Sequence, residues 1–120
     1  RQSRTNEVAT MARSVIKRFD SYTLSYRSGH HQMDARIYCW DGRMRVGTID
    51  FIKEGVPIPA NGYFPDPGSW GIYVYYAVAR FSEVLHILEH EEPLHLYYTE
   101  KTGDAGIITS DREPVGEQES

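Results

Sequence analysis

The residues best suited to metal chemistry form a histidine and glutamate cluster in the C-terminal half of the chain. His86, Glu89 and His90 have the spacing H-x-x-E-H, which on a helix places two imidazoles one turn apart with a carboxylate between them. A zinc hydrolase could use the histidines as ligands and the glutamate as general base. It would also need a third protein ligand far downstream, and only 30 residues follow His90.

The helical phase of this cluster favours a solvated surface. At roughly 100° per residue, His86 and His90 point away from the apolar stripe of their own helix, with Glu83 beside them. These three side chains could hold stray zinc, but the placement is typical of a polar helix face. A small metal-dependent hydrolase therefore ranks third among the functions that we consider.

A second polar cluster, His30, His31 and Asp34, falls in a turn between two predicted strands, where polar side chains normally collect. The sequence has no phosphate-binding glycine loop with a lysine, no G-x-S-x-G nucleophile motif and no paired-cysteine metal site. We therefore predict no catalytic residue, no metal and no cofactor.

Three strand-like segments, 36–40, 72–76 and 94–98, alternate aliphatic with aromatic residues at a spacing of two. The aliphatic positions are Ile37, Cys39, Ile72, Val74, Leu94 and Leu96, and the alternate positions are Tyr38, Trp40, Tyr73, Tyr75, His95 and Tyr97. Side chains alternate across a strand, so we expect an aliphatic core face and a second, aromatic face. Rings with a polar tip suit a surface that is covered part of the time.

The segment 55–71 holds four prolines, four glycines and three aromatic residues. Structureless loops of this length are uncommon in compact domains and are usually functional or disordered. The aromatic residues argue against plain disorder, so we combine this loop with the aromatic face into one predicted binding surface. Its residues are Tyr38, Trp40, Tyr63, Phe64, Trp70, Tyr73, Tyr75 and Tyr97.

The patterns predict a single α+β domain over residues 1–120, with frayed ends at 1–5 and 111–120. A mainly antiparallel sheet of about six strands would have the order strand, strand, strand, loop, strand, helix, strand, strand. The strand ranges are 22–26, 34–40, 43–53, 71–79, 94–100 and 106–110, with a bulge at Gly47 where the apolar phase changes. A helix over 82–91 would pack on the aliphatic face, and an additional N-terminal helix would span 6–19.

Composition bounds the functional class. The chain has 40% hydrophobic and 25% charged residues, which are globular values. No apolar run approaches the roughly 18 residues of a membrane span, and the single Cys39 cannot form an internal disulfide. We therefore expect a cytoplasmic protein with no membrane contact.

The net charge of −4 conceals a difference between the chain ends. Residues 1–27 hold six basic against two acidic residues, and residues 82–120 hold two basic against ten acidic. Such opposite charges could pair within the chain or between copies.

The favoured function is a non-catalytic binding or interaction module that uses the aromatic face and the 55–71 loop, most simply as a homodimer. A protein partner is the other possibility. The alternative is a single-stranded nucleic-acid binder, since aromatic residues stack bases and Arg13, Lys17, Arg18 and Arg27 could meet phosphates. Arg36 is the only basic residue in phase with the aromatic face, which makes nucleic acid the less favoured partner.

Overall fold

The computed structural model describes residues 14–65 and 71–109. Within these ranges the protein is a mixed α+β fold with two sheets, so the prediction of a single six-stranded sheet is wrong. The strands are β1 Ser14–Phe19, β2 Ser21–Tyr26, β3 Met33–Asp41, β4 Met44–Ile52, β5 Gly62–Phe64, β6 Gly71–Ala77, β7 Leu94–Thr99 and β8 Asp104–Thr109. A 3₁₀ turn, Val78–Arg80, leads into the helix α1, Phe81–His90.

The N-terminal helix predicted for residues 6–19 is wrong in its second half, because residues 14–19 form β1. Val15 and Lys17 are half-buried and Phe19 is buried, whereas Ile16 is 58% exposed. This alternation is that of a strand, and β-branched Val15 and Ile16 suit it. β1 pairs antiparallel with β7, and β8 completes a three-stranded sheet. Residues 6–13 lie outside the described ranges, as do the predicted frayed ends.

The second sheet has five strands in the order β2-β3-β4-β6-β5. All of its pairs are antiparallel except β4 and β6, which run parallel. The chain passes from one sheet to the other at Asp20, between β1 and β2. Strand β5 occupies part of the predicted 55–71 loop, and it places Gly62–Phe64 at the sheet edge beside β6.

One face of the five-stranded sheet, here called the inner face, carries the core. Its members are Ala35, Ile37, Cys39, Ile49, Phe51, Ile72 and Val74, all of them buried. Val84 and Leu88 of α1 pack against this face, together with Leu94 and Leu96 of β7. The predicted aliphatic core and the helix on top of it are therefore confirmed. Burial also raises the pKa of the Cys39 thiol.

The strand β4 contains an irregularity at the predicted position. Cys39 pairs with Gly47, but Trp40 pairs with Arg45, so Val46 is an extra residue in the ladder. A Cβ at Gly47 would collide with the Ile72 carbonyl oxygen and with the Leu96 side chain. Only glycine allows this close approach, and the bulge beside it changes the phase of the strand.

Candidate binding face of the five-stranded sheet

The outer face of the five-stranded sheet is the side opposite the inner face. Its side chains form two rows that cross β2, β3, β4 and β6. The first row is Ser25, Arg36, Asp50 and Tyr75, and the second is Thr23, Tyr38, Thr48 and Tyr73. Both rows follow from the register, because directly paired residues point to the same side of a sheet. Tyr38, Trp40, Tyr73 and Tyr75 therefore share one face.

The first row contains a buried ion pair. Arg36 and Asp50 lie directly opposite on β3 and β4, and Nε and Nη2 of Arg36 donate to the two Asp50 carboxylate oxygens at 2.7 and 2.8 Å. The Asp50 side chain is 1% exposed and that of Arg36 is 22% exposed. The hydrogen bond to Asp50 holds the pKa of Arg36 above its ordinary value. This bidentate ion pair forms a rigid, charged part of the outer face.

Guanidinium groups also lie against the aromatic rings that neighbour this ion pair. Arg36 and Arg45 each lie 6.0 Å from the Tyr38 ring centroid, and Arg45 lies 5.7 Å from that of Trp40. Arg27 Nη2 lies 3.5 Å from the Tyr38 hydroxyl. The prediction that Arg36 alone is in phase with this face is therefore wrong. The bulge before Gly47 brings Arg45 opposite Trp40, and Arg27 reaches in from the end of β2.

The second row has a buried hydroxyl at its centre. Thr48 is fully buried between Tyr38 and Tyr73 in the register, and its Oγ1 has no hydrogen-bond partner within residues 14–65 and 71–109. A buried hydroxyl without a partner is costly and uncommon. Tyr75, in the first row, has its pKa raised by partial burial and then by the Asp50 charge, so it stays a neutral donor.

The four other predicted binding residues lie in different places. Phe64 belongs to the outer face, because its ring meets Tyr73 edge-on with centroids 5.4 Å apart. Tyr63 faces the other way and packs against the core, with the Lys17 amine 5.9 Å from its ring centroid. Tyr97 belongs to the three-stranded sheet, where its hydroxyl donates to Asp104 Oδ2 at 3.1 Å. Trp70 lies outside the described ranges.

His86 and His90 are exposed, as their helical phase predicted, whereas in the second cluster His31 is exposed, His30 is half-buried and Asp34 pairs with Lys53. The rings of His86 and His90 lie 4.3 Å apart, and Glu83 Oε1 accepts a hydrogen bond from Arg80 Nε at 2.6 Å instead of facing them. His30 stacks on His31, and its Nδ1 accepts from the backbone N–H groups of Gln32 and Met33. Within the described ranges, no three His, Cys, Asp or Glu side chains lie close enough to hold a metal ion.

Sequence reasoning missed two members of the face, Arg45 and Thr48, and it named Arg27 as a possible phosphate contact without placing it on this face. Arg45 could have been found from the predicted bulge, because an extra residue at Val46 moves it into the phase of Trp40. Thr48 could have been placed on this face because it alternates with the core residues Gly47 and Ile49, but its complete burial depends on neighbouring side chains. No sequence signal places Arg27, which lies beyond the end of β2.

None of the helices in the described part of the chain is both long and apolar enough to cross a membrane. No protein-family model, curated protein or solved structure matches this chain.

Proposed function

We propose that this protein is a non-catalytic binding module whose working surface is the outer face of the five-stranded sheet. The observation that carries the proposal is the combination of Tyr38, Trp40, Tyr73 and Tyr75 with guanidinium groups on one side of a sheet whose other side holds the core. Tyr, Trp and Arg are the residue types that dominate binding at protein interfaces. Phe64 extends this surface at the sheet edge, which gives the 55–71 loop a part in recognition.

Charge favours a second copy of this chain as the partner. Among the described residues assigned above to the outer face, three carry guanidinium groups, Arg27, Arg36 and Arg45, and Asp50 carries a carboxylate. Residues 82–109 carry six acidic residues against Lys101 alone. A two-fold dimer could bring the acidic region of one chain near the basic face of the other. The single buried Cys39, which has no internal disulfide partner, supports a cytoplasmic setting.

Sedimentation equilibrium at several protein concentrations tests the dimer. We expect the parent to dimerise at tens of micromolar, and Tyr75→Glu to remain monomeric because it places a carboxylate in the interface beside Asp50. The matched control is Tyr26→Glu, which makes the same change at a tyrosine that is 74% exposed and on the other side of the sheet. A folded parent that stays monomeric at these concentrations would exclude a second copy as the partner.

A second candidate is single-stranded nucleic acid, and the positions of Arg27 and Arg45 are the observation that favours it. They place cations beside rings that could stack bases, which sequence phase had not shown. We expect Arg45→Gln to weaken binding of a thymidine oligomer and to lower the salt dependence by about one phosphate contact. Arg43→Gln, in the adjacent exposed turn, is the control. Absence of oligomer binding at low salt would exclude this candidate.

A further inference from the structure

A cleft of about 600 Å³ opens on another part of the molecule, where β1 turns into β2. Its second wall is the C-terminal end of α1 and the connection from α1 to β7. Its lining includes three apolar and three acidic side chains: Phe19, Leu88, Leu94, Asp20, Glu91 and Glu92. Ser21 also lines the cleft and pairs with Trp40 at the beginning of β2, but these six residues do not belong to the outer face that is proposed above as the binding surface. The cleft is therefore an independent candidate site.

The floor of the cleft is apolar. Phe19, Leu88 and Leu94 line it and are all buried members of the core, which fixes their positions. The volume falls within the roughly 300–1,000 Å³ of pockets that bind small organic molecules. A floor of this kind accepts an aliphatic or aromatic body, and the polar groups at the rim then decide which charge that body can carry.

The rim favours a positive charge. It carries the carboxylates of Asp20, Glu91 and Glu92 against one guanidinium, that of Arg18. Arg18 Nη1 lies 3.9 Å from an Asp41 carboxylate oxygen outside the cleft, and because both side chains are largely exposed this pair is weak. The rim also includes Glu91, directly after the last residue of α1, where the helix dipole favours cations. The C-terminal end of α1 and the carboxylates at the rim therefore both favour a bound cation.

We propose that this cleft binds a small organic cation, an ammonium group carried on an apolar body. The body lies on Phe19, Leu88 and Leu94, and the ammonium group lies at the rim between Glu91 and Glu92. The proposal does not depend on the function of the outer face. The ligand needs two features that can be tested separately: an apolar body that contacts the floor of the cleft, and a positive charge that the carboxylates at the rim attract.

A matched pair of probes tests the charge and the apolar body separately. 4-Phenylbutylamine and 4-phenylbutyrate share the same apolar body and carry opposite charges. Titration of each into the isotopically labelled full chain is followed by backbone amide chemical shifts. We expect saturable shifts at Ser21, Glu92 and Leu94 with the amine, and at least about tenfold weaker binding of the acid. Equal binding of the two probes, or no saturable shift with the amine, would overturn the proposal.

Charge-removing variants test the rim itself. Glu91→Gln combined with Glu92→Gln should weaken amine binding about tenfold, since both carboxylates are exposed and their removal leaves the core intact. Glu89→Gln makes the same change on an exposed position of α1 that does not line the cleft, and it should leave binding unchanged. Undiminished amine binding by the double variant, or an equal loss in the control, would show that these carboxylates do not select the ligand.

Discussion

The two faces of the five-stranded sheet are built from alternate residues of the same strands, yet they are stabilised in different ways. The inner face is aliphatic and is covered by α1 and β7 of the same chain. The outer face combines half-exposed rings with a buried ion pair and with arginines lying against the rings. The alternation determines which face a residue joins, whereas the side-chain types determine whether that face becomes core or interface. The following predictions test this division.

The largest difference in unfolding free energy is expected between substitutions at two neighbouring residues of β6 whose side chains point to opposite faces. Ile72→Ala removes a fully buried core side chain and should lower the free energy of unfolding by about 3 kcal/mol. Tyr73→Ala, on the outer face, should cost about 1 kcal/mol in the dilute monomer, because its ring is only half-buried. Chemical denaturation measures both. Equal losses would show that the outer face is a second core.

The Arg36–Asp50 ion pair belongs to the outer face, but we expect its loss to destabilise the protein as much as the loss of a core side chain. Asp50→Ala leaves the Arg36 guanidinium half-enclosed without its carboxylate, and it should lower the free energy of unfolding by about 3 kcal/mol. Replacing both partners, as Arg36→Met with Asp50→Leu, should recover most of this loss, because no charge then remains unpaired. A loss below about 1 kcal/mol for Asp50→Ala would contradict the burial of the pair.

Period-two alternation predicted the two faces of β3 and β6, but it did not show that the segment 94–98 lies in another sheet. It placed Ile37, Cys39, Ile72 and Val74 in the core and put Tyr38 on the opposite side. Most strand positions and the helix on the inner face also followed from pattern and turn residues. These features depend on local sequence periods, which reflect one-sided burial directly.

The predictions that were wrong concern features that depend on pairing between distant segments of the chain. Val15, Ile16 and Phe19 fit a helical spacing as well as a strand, and only the pairing of β1 with β7 decides between them. The division into two sheets likewise follows from that pairing and from the change of sheet at Asp20. Residues 55–71 were predicted as a loop, so no strand phase was available for Tyr63. In the structure β5 pairs Tyr63 with the core residue Ile72, and Tyr63 therefore joins the core instead of the outer face.

A smaller effect is expected at His30, which lies in the turn next to the outer face and responds to its charges. Partial desolvation lowers the pKa of His30 below 6.5, and the positive charges of His31, Arg27 and Arg36 lower it further. The unfolded chain therefore binds this proton more readily, so the contribution to stability is present above pH 6.5 and is lost as the pH falls through the folded-state pKa.

Denaturation between pH 5 and pH 7 measures this contribution. His30→Ala should flatten the pH dependence of stability below about pH 6.5, since it removes the ring that accepts from the Gln32 and Met33 N–H groups. His86→Ala on α1 is the control, because His86 is exposed and is not among the charged groups that shift the pKa of His30. An unchanged pH dependence in His30→Ala would contradict the assignment.

The smallest effect is expected at a site that belongs to neither face. His86 and His90 are exposed on α1, so alanine at both should change the free energy of unfolding by no more than about 0.5 kcal/mol. Their removal should also leave self-association unchanged. A loss above about 2 kcal/mol, or tightly bound stoichiometric zinc in the parent purified without a histidine tag, would show that this surface is structural or metal-binding.

Acrylamide quenching of Trp40 fluorescence tests most directly whether the outer face is an interface. The Trp70→Phe variant leaves Trp40, whose indole N–H donates to Thr23 Oγ1 on this face, as the single reporter. We predict efficient quenching in dilute protein, and protection that grows as the concentration rises to tens of micromolar and a second copy covers the face. Weak quenching that does not change with concentration would show that the chain covers this face by itself, and the account of a binding surface would then be wrong.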